Sequence, residues 1–110
     1  MTGGMEIPVN VARWFVRVVE KTHLTPNQVR TFAYLASRSD ETGAIGIDPD
    51  GRPVSDPRSV SKALGIGEST VFVAFTALER AGLIEYARAK GAERYEGVTG
   101  RVRLLISESA

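Results

Sequence analysis

Residues 57–81 hold two helical patterns separated only by Gly65-Ile66-Gly67, and this spacing leaves the chain few ways to fold. Ser55-Asp56-Pro57 opens the first pattern with a capping residue and an early proline. Val60, Ala63 and Leu64 are its expected inward residues, and Gly65 ends it. The second pattern runs over residues 68–81 and places Val71, Ala74, Phe75 and Leu78 at i, i+3, i+4 and i+7, the buried face of an amphipathic helix. Gly82 stops it. Leu83-Ile84-Glu85-Tyr86 then reads as a strand, and Arg101-Val102-Arg103-Leu104-Leu105-Ile106 pairs back as a second one after a polar segment. Val102, Leu104 and Ile106 alternate inward, Arg101 and Arg103 outward.

Upstream, residues 7–23 read as a leading helix with Pro8 near its first turn. Asn10, Arg13, Arg17, Glu20 and Lys21 recur at helical spacing as one polar stripe, and the rest of the circumference is apolar. That is more apolar surface than one small domain covers. The β-branched valines leave part of this run compatible with a strand. The next helix is announced by Thr25-Pro26-Asn27-Gln28, a capping box with proline at the first helical position, followed by Val29, Phe32, Ala33 and Ala36 as its apolar stripe. Residues 40–53 are loop-like, with Ile45, Ile47 and Val54 as candidates for short strands around Asp48-Pro49-Asp50-Gly51.

A chain of 110 residues has room for one core, so a single domain over residues 1–110 is expected, with residues 107–110 frayed. Cysteine is absent, which removes disulfides, thiolate metal sites and cysteine nucleophiles together. The first residues carry neither the basic nor the apolar segment of a signal peptide, and no apolar run has membrane-spanning length. A cytoplasmic protein with no membrane contact is the expectation. The net charge of +1 does not announce a nucleic-acid binder, but its distribution does. Arg88, Lys90, Arg94, Arg101 and Arg103 face only Glu93 and Glu96 within residues 86–103. Screening over about 10 Å makes such a local stripe, rather than the total, decisive for phosphate contact.

The stretch Val60-Ser61-Lys62-Ala63-Leu64-Gly65-Ile66-Gly67-Glu68-Ser69-Thr70-Val71 resembles a helix-turn-helix, and Leu78-Glu79-Arg80-Ala81-Gly82-Leu83-Ile84 is similar to the ending that leads from recognition helix to wing in winged-helix regulators. The resemblance covers residues 25–106. It is to the winged-helix superfamily of MarR-type and GntR-type transcription regulators, and also to the N-terminal domains of phage and plasmid replication initiators, whose entry Ile7-Pro8 matches. It implies a mainly α fold with a small β-hairpin (α+β), a winged helix-turn-helix with an extra N-terminal helix. It also implies double-stranded DNA as partner, a transcription regulator or a plasmid or phage replication or partition protein as role, and no cofactor, metal or enzymatic chemistry.

On this reading Ser69, Thr70, Phe72 and Val73 lie nearest the base edges. Such helices often show Arg, Lys or Asn outward; here hydroxyls and apolar groups take those places, suited to thymine methyls but not to bidentate guanine contacts. Phosphate contact then falls to Arg58 and Lys62 on the preceding helix and to Arg88, Lys90, Arg94 and Arg101 on the hairpin. Val11, Trp14, Phe15 and Val18 of the leading helix are the expected surface of a homodimer, since two half-sites multiply weak contacts.

Other features read more plainly. Asp48-Pro49-Asp50-Gly51 is a turn lacking the distal Glu of a Ca²⁺ loop, and Gly65–Thr70 lacks the Lys of a phosphate loop. His23 sits at a helix end, and Glu93 with Glu96 fits a solvated loop rather than a catalytic pair. A second class of function competes: Phe72, Val73 and Ala77, if outward, equally suit a winged-helix domain that contacts protein.

Overall fold

In a computed structural model that describes residues 7–46, 54–88 and 100–107, four helices precede one antiparallel hairpin. They are α1 (Val9–Lys21), α2 (Pro26–Ser37), α3 (Pro57–Leu64) and α4 (Glu68–Arg80), followed by β1 (Ile84–Arg88) and β2 (Gly100–Leu104). The mainly helical α+β class read from the sequence is what the chain adopts. Ile47, Asp48-Pro49-Asp50-Gly51, Lys90, Glu93, Arg94, Glu96 and residues 108–110 lie outside the described residues, as does the side chain of Arg88.

α1 is helical throughout, and burial of Val11 and Val18 offsets the low helix propensity of those two valines. Val11, Trp14 and Val18 are buried in the chain's own core. Trp14 meets Phe32 of α2 edge-on at 5.3 Å, and half-buried Phe15 lies 4.8 Å from the same ring. This corrects the expected dimer surface: Val11, Trp14 and Val18 are taken by the subunit itself, and Phe15 is partly so. The polar stripe misled because two of its members are only partly in solvent. Asn10 donates from Nδ2 to the Glu41 carbonyl at 2.8 Å, and Arg17 from Nη2 to the Ser107 carbonyl at 3.2 Å. Both are half-buried staples, so the helix turns toward them and exposes Val9, Arg13, Val16 and Glu20 instead.

α2 starts as its sequence demands. The Thr25 hydroxyl accepts from the Gln28 amide (3.3 Å) while the Gln28 side chain accepts from the Thr25 amide (3.1 Å), completing the capping box. Thr31, Phe32, Leu35 and Ala36 are buried; Val29 and Ala33 of the expected apolar stripe are half-buried.

The hairpin register pairs Ile84 with Leu104, Tyr86 with Val102 and Arg88 with Gly100. Gly100, Val102 and Leu104 are buried and Arg101 and Arg103 exposed, as the alternation requires. β2 ends at Leu104, and Ile106 packs against the core beyond it. The amides of the buried residues point away from β1, and each has a partner there. Gly100 donates to Asp56 Oδ1 (3.2 Å), Val102 to Ser55 Oγ (3.0 Å) and Leu104 to the Gly43 carbonyl (3.0 Å). Ser55 and Asp56 are themselves buried. Asp56 does occupy the position before α3, with Pro57 at the start of the helix, but its side chain makes no cap hydrogen bond. The capping role read for the Ser55-Asp56 pair is therefore corrected: their side chains hold a strand.

The Gly43 contact needs glycine. Its φ is +90°, and a Cβ there would collide with the Leu104 carbonyl. The loop is formed by Asp40, whose carboxylate accepts from the Thr42 amide (2.8 Å), the Thr42 hydroxyl (2.6 Å) and the Ala44 amide (3.1 Å). The Thr42 hydroxyl, the Thr42 and Ala44 amides and the nearby Arg103 charge together hold the Asp40 carboxyl below its ordinary value. Of the short strands proposed here, only a single bridge between Ser39 and Ile45 forms among the described residues.

Two measurements check this. Ser55→Ala leaves the Val102 amide buried without its acceptor and should cost about 1–3 kcal/mol in urea unfolding; a variant as stable as the parent would refute the edge assignment. Because the folded Asp40 is shifted downward, its stabilisation is present above its unfolded value of 3.8 and is lost as pH falls through the lower folded value. Thr42→Ala should move the Asp40 titration, followed by carboxyl NMR, back up toward the ordinary value.

Candidate nucleic-acid interface

α3 ends in a turn that only glycine accommodates easily. Gly65 takes a left-handed conformation with φ 68°, and its amide and that of Ile66 both donate to the Ser61 carbonyl, at 2.9 and 3.2 Å. The Ser61 hydroxyl donates to the Ile66 carbonyl at 2.5 Å, closing the turn from the other side. Arg30 reaches from α2 to the Leu64 carbonyl at 3.0 Å, setting a cation at the negative end of α3. Val60 is buried, as expected, but Ala63 is exposed and Leu64 half-buried. With only eight residues α3 turns a narrow face inward, and Leu64 already belongs to the turn.

The turn delivers α4 with Gly67 before its first residue and no side chain capping its first amides. Val71, Ala74, Phe75 and Leu78 are buried, each at most 1% exposed, which is the face its periodicity marks. On the opposite side Ser69, Val73 and Thr76 are exposed and Thr70 is half-buried. Val73 is 62% exposed, unusual for a large aliphatic side chain on a helix that packs the core so completely.

Phe72, half-buried like Thr70, differs from the other three expected base-reading residues in meeting the hairpin: its ring lies 6.3 Å from that of Tyr86 of β1, steeply inclined. Phe75 reaches the same Tyr86 ring at 5.5 Å. A Cβ on Gly100 would run into that ring, 2.6 Å from Cζ, so glycine there lets Tyr86 lie across β2. Phe72, expected among the base-reading residues, is thus placed in the joint between α4 and the hairpin.

Of the expected phosphate-contacting residues, Arg58 and Lys62 are exposed at i and i+4 along α3. Arg101 is exposed on β2, across from Ala87; Arg103 is exposed across from Glu85 and near Asp40. Arg88 stands in β1 opposite Gly100. Reasoning from the sequence missed Tyr86, Gly100, Ser55 and Asp56 as the parts that tie the hairpin to the helices. An aromatic two residues along a strand whose partner carries glycine was the only local signal. Among the described residues no group of three or more His, Asp or Glu side chains gathers as a metal site, and no helix is long and apolar enough to cross a membrane.

Compared with known protein families, with curated proteins and with solved structures, the chain finds no match.

The joint has a measurable consequence. Phe72→Ala should destabilise the fold by about 1–3 kcal/mol through the lost contact with Tyr86. Val73→Ala, one residue on but in solvent, should stay within about 0.5 kcal/mol of the parent. Equal effects in chemical unfolding would contradict this division of α4 into two faces.

Proposed function

We propose that this chain binds double-stranded DNA as a winged helix-turn-helix domain and acts as a cytoplasmic transcription regulator. α4 is the helix that enters the major groove, and the β1–β2 hairpin is the wing. The observation that carries this reading is the two-faced α4. One face is wholly committed to the core, and Ser69, Thr70, Val73 and Thr76 are left on the other, behind a turn locked by Gly65, Ser61 and Arg30. Arg58 and Lys62 supply phosphate contact from α3, and Arg88, Lys90, Arg94 and Arg101 supply it from the wing. Base contact is modest by chemistry: hydroxyls bond either kind of edge, and a valine methyl can only meet a thymine methyl. DNA shape then carries a larger share of selectivity. The same contact serves a plasmid or phage replication or partition protein, and whether the bound site lies at a promoter or an origin separates the two.

A second reading has its own observation. The exposed Val73 and the lack of Arg, Lys, Asn or Gln among residues 69–77 also suit a face that meets protein.

Fluorescence anisotropy on mixed-sequence duplexes through a salt series decides between them. Affinity should fall steeply with salt, with a slope near −0.9 per neutralised phosphate. Replacing Arg58, Lys62, Arg88, Lys90, Arg94 or Arg101 by Ala should each reduce that slope by roughly one unit across all sequences. Thr70→Ala and Val73→Ala should relax sequence preference and leave the slope unchanged. Absence of binding at low salt would overturn the DNA reading and favour the protein-contact one.

A further inference from the structure

Five large hydrophobic side chains are exposed among the described residues, and three of them, Ile7, Val9 and Val16, lie on α1 or on the residues that lead into it. Val9 is 65% and Val16 55% exposed. With Arg13 and Glu20, also exposed, they form one straight stripe at i, i+4, i+7 and i+11, on the side of α1 opposite Val11, Trp14 and Val18. Half-buried Ala12 flanks the stripe and leaves room for a close neighbour. Valine is a poor choice for a solvent-facing helix position, because its β-branch lowers helix propensity and no burial compensates for it.

We propose that this stripe docks a second copy of the chain, the two α1 helices lying antiparallel across a two-fold axis at Val16. The charges select both occupant and direction. Arg13 precedes Val16 by three residues and Glu20 follows it by four, so an antiparallel pair sets Arg13 of each copy against Glu20 of the other. One isologous contact thereby makes two opposite-charge pairs flanking an apolar centre. A parallel pair would set Arg13 against Arg13 and Glu20 against Glu20. The stripe is complementary to itself in one orientation only. This contact does not depend on DNA binding, and it uses the face of α1 that the intramolecular core leaves free. From Arg13 to Glu20 it spans only about 10 Å of helix, so the dimer is weak, dissociating on the order of 10–100 µM.

Sedimentation equilibrium of the full chain at low salt, from about 5 to about 500 µM, tests it. The parent should show a monomer–dimer equilibrium. R13E and E20R alone should each raise the dissociation constant about tenfold, because each turns two attractive pairs into repulsive ones. The double variant R13E/E20R should return it to within about threefold of the parent. V16Q, independent of charge, should also weaken the dimer, and circular dichroism should show every variant folded, since all three positions are exposed. A parent that stays monomeric, a dimer indifferent to the single exchanges, or a double exchange that fails to restore it would each overturn the proposal.

Discussion

A two-stranded sheet has two edges, and the edge of β2 that faces away from β1 is closed here by side chains and a loop carbonyl rather than by a third strand. Ser55 Oγ, Asp56 Oδ1 and the Gly43 carbonyl accept from the amides of Val102, Gly100 and Leu104 in turn. An isolated hairpin is marginal in water, and an open strand edge invites pairing with other chains. These three acceptors supply what a strand would have supplied. Two of them come from the residues that immediately precede α3, so the hairpin is tied to the start of the helix that braces α4. Orientation of the hairpin and orientation of α4 thereby become one property. The third acceptor extends the tie to the loop after α2, whose geometry Asp40 and Thr42 maintain.

The aromatic joint works from the other side of the same hairpin. Tyr86 packs between Phe72 and Phe75, and Gly100 leaves space for its ring over the neighbouring strand. Hydrogen bonds at the edge and ring contacts on the face together leave little freedom between helix and sheet. For the proposed reading this matters more than the strength of any one base contact. On that proposal, an outer face made of Ser69, Thr70, Val73 and Thr76 would read bases weakly, and recognition would depend on presenting helix and wing cations at a fixed spacing. A fixed relation between the two elements would then let a duplex of suitable shape be distinguished.

α1 shows how polar groups can serve packing. Its buried side rests on the Trp14–Phe32–Phe15 cluster, which joins α1 to α2. Asn10 and Arg17 then fix its rotation by reaching backbone carbonyls at Glu41 and Ser107. The consequence is an outer face richer in valine than a polar count of the helix suggests.

Much of this was legible from residue order alone, because it depends on near neighbours. The capping box at Thr25, the glycine turn at residue 65, the buried quartet of α4 and the alternation along β2 are all set within a few residues by helical or strand period and by local backbone sterics. What the sequence could not determine are the roles set by partners far along the chain. Asp56 stands where a cap belongs and meets instead an amide 44 residues later; Ser55 does the same across 47 residues, and Arg17 across 90. Phe72 looks like an outward residue until β1 brings Tyr86 alongside. A local pattern states which groups need partners. Only the tertiary structure decides which partners arrive, because that choice depends on how helices and hairpin pack as rigid bodies and on which amides and rings that packing leaves to be satisfied.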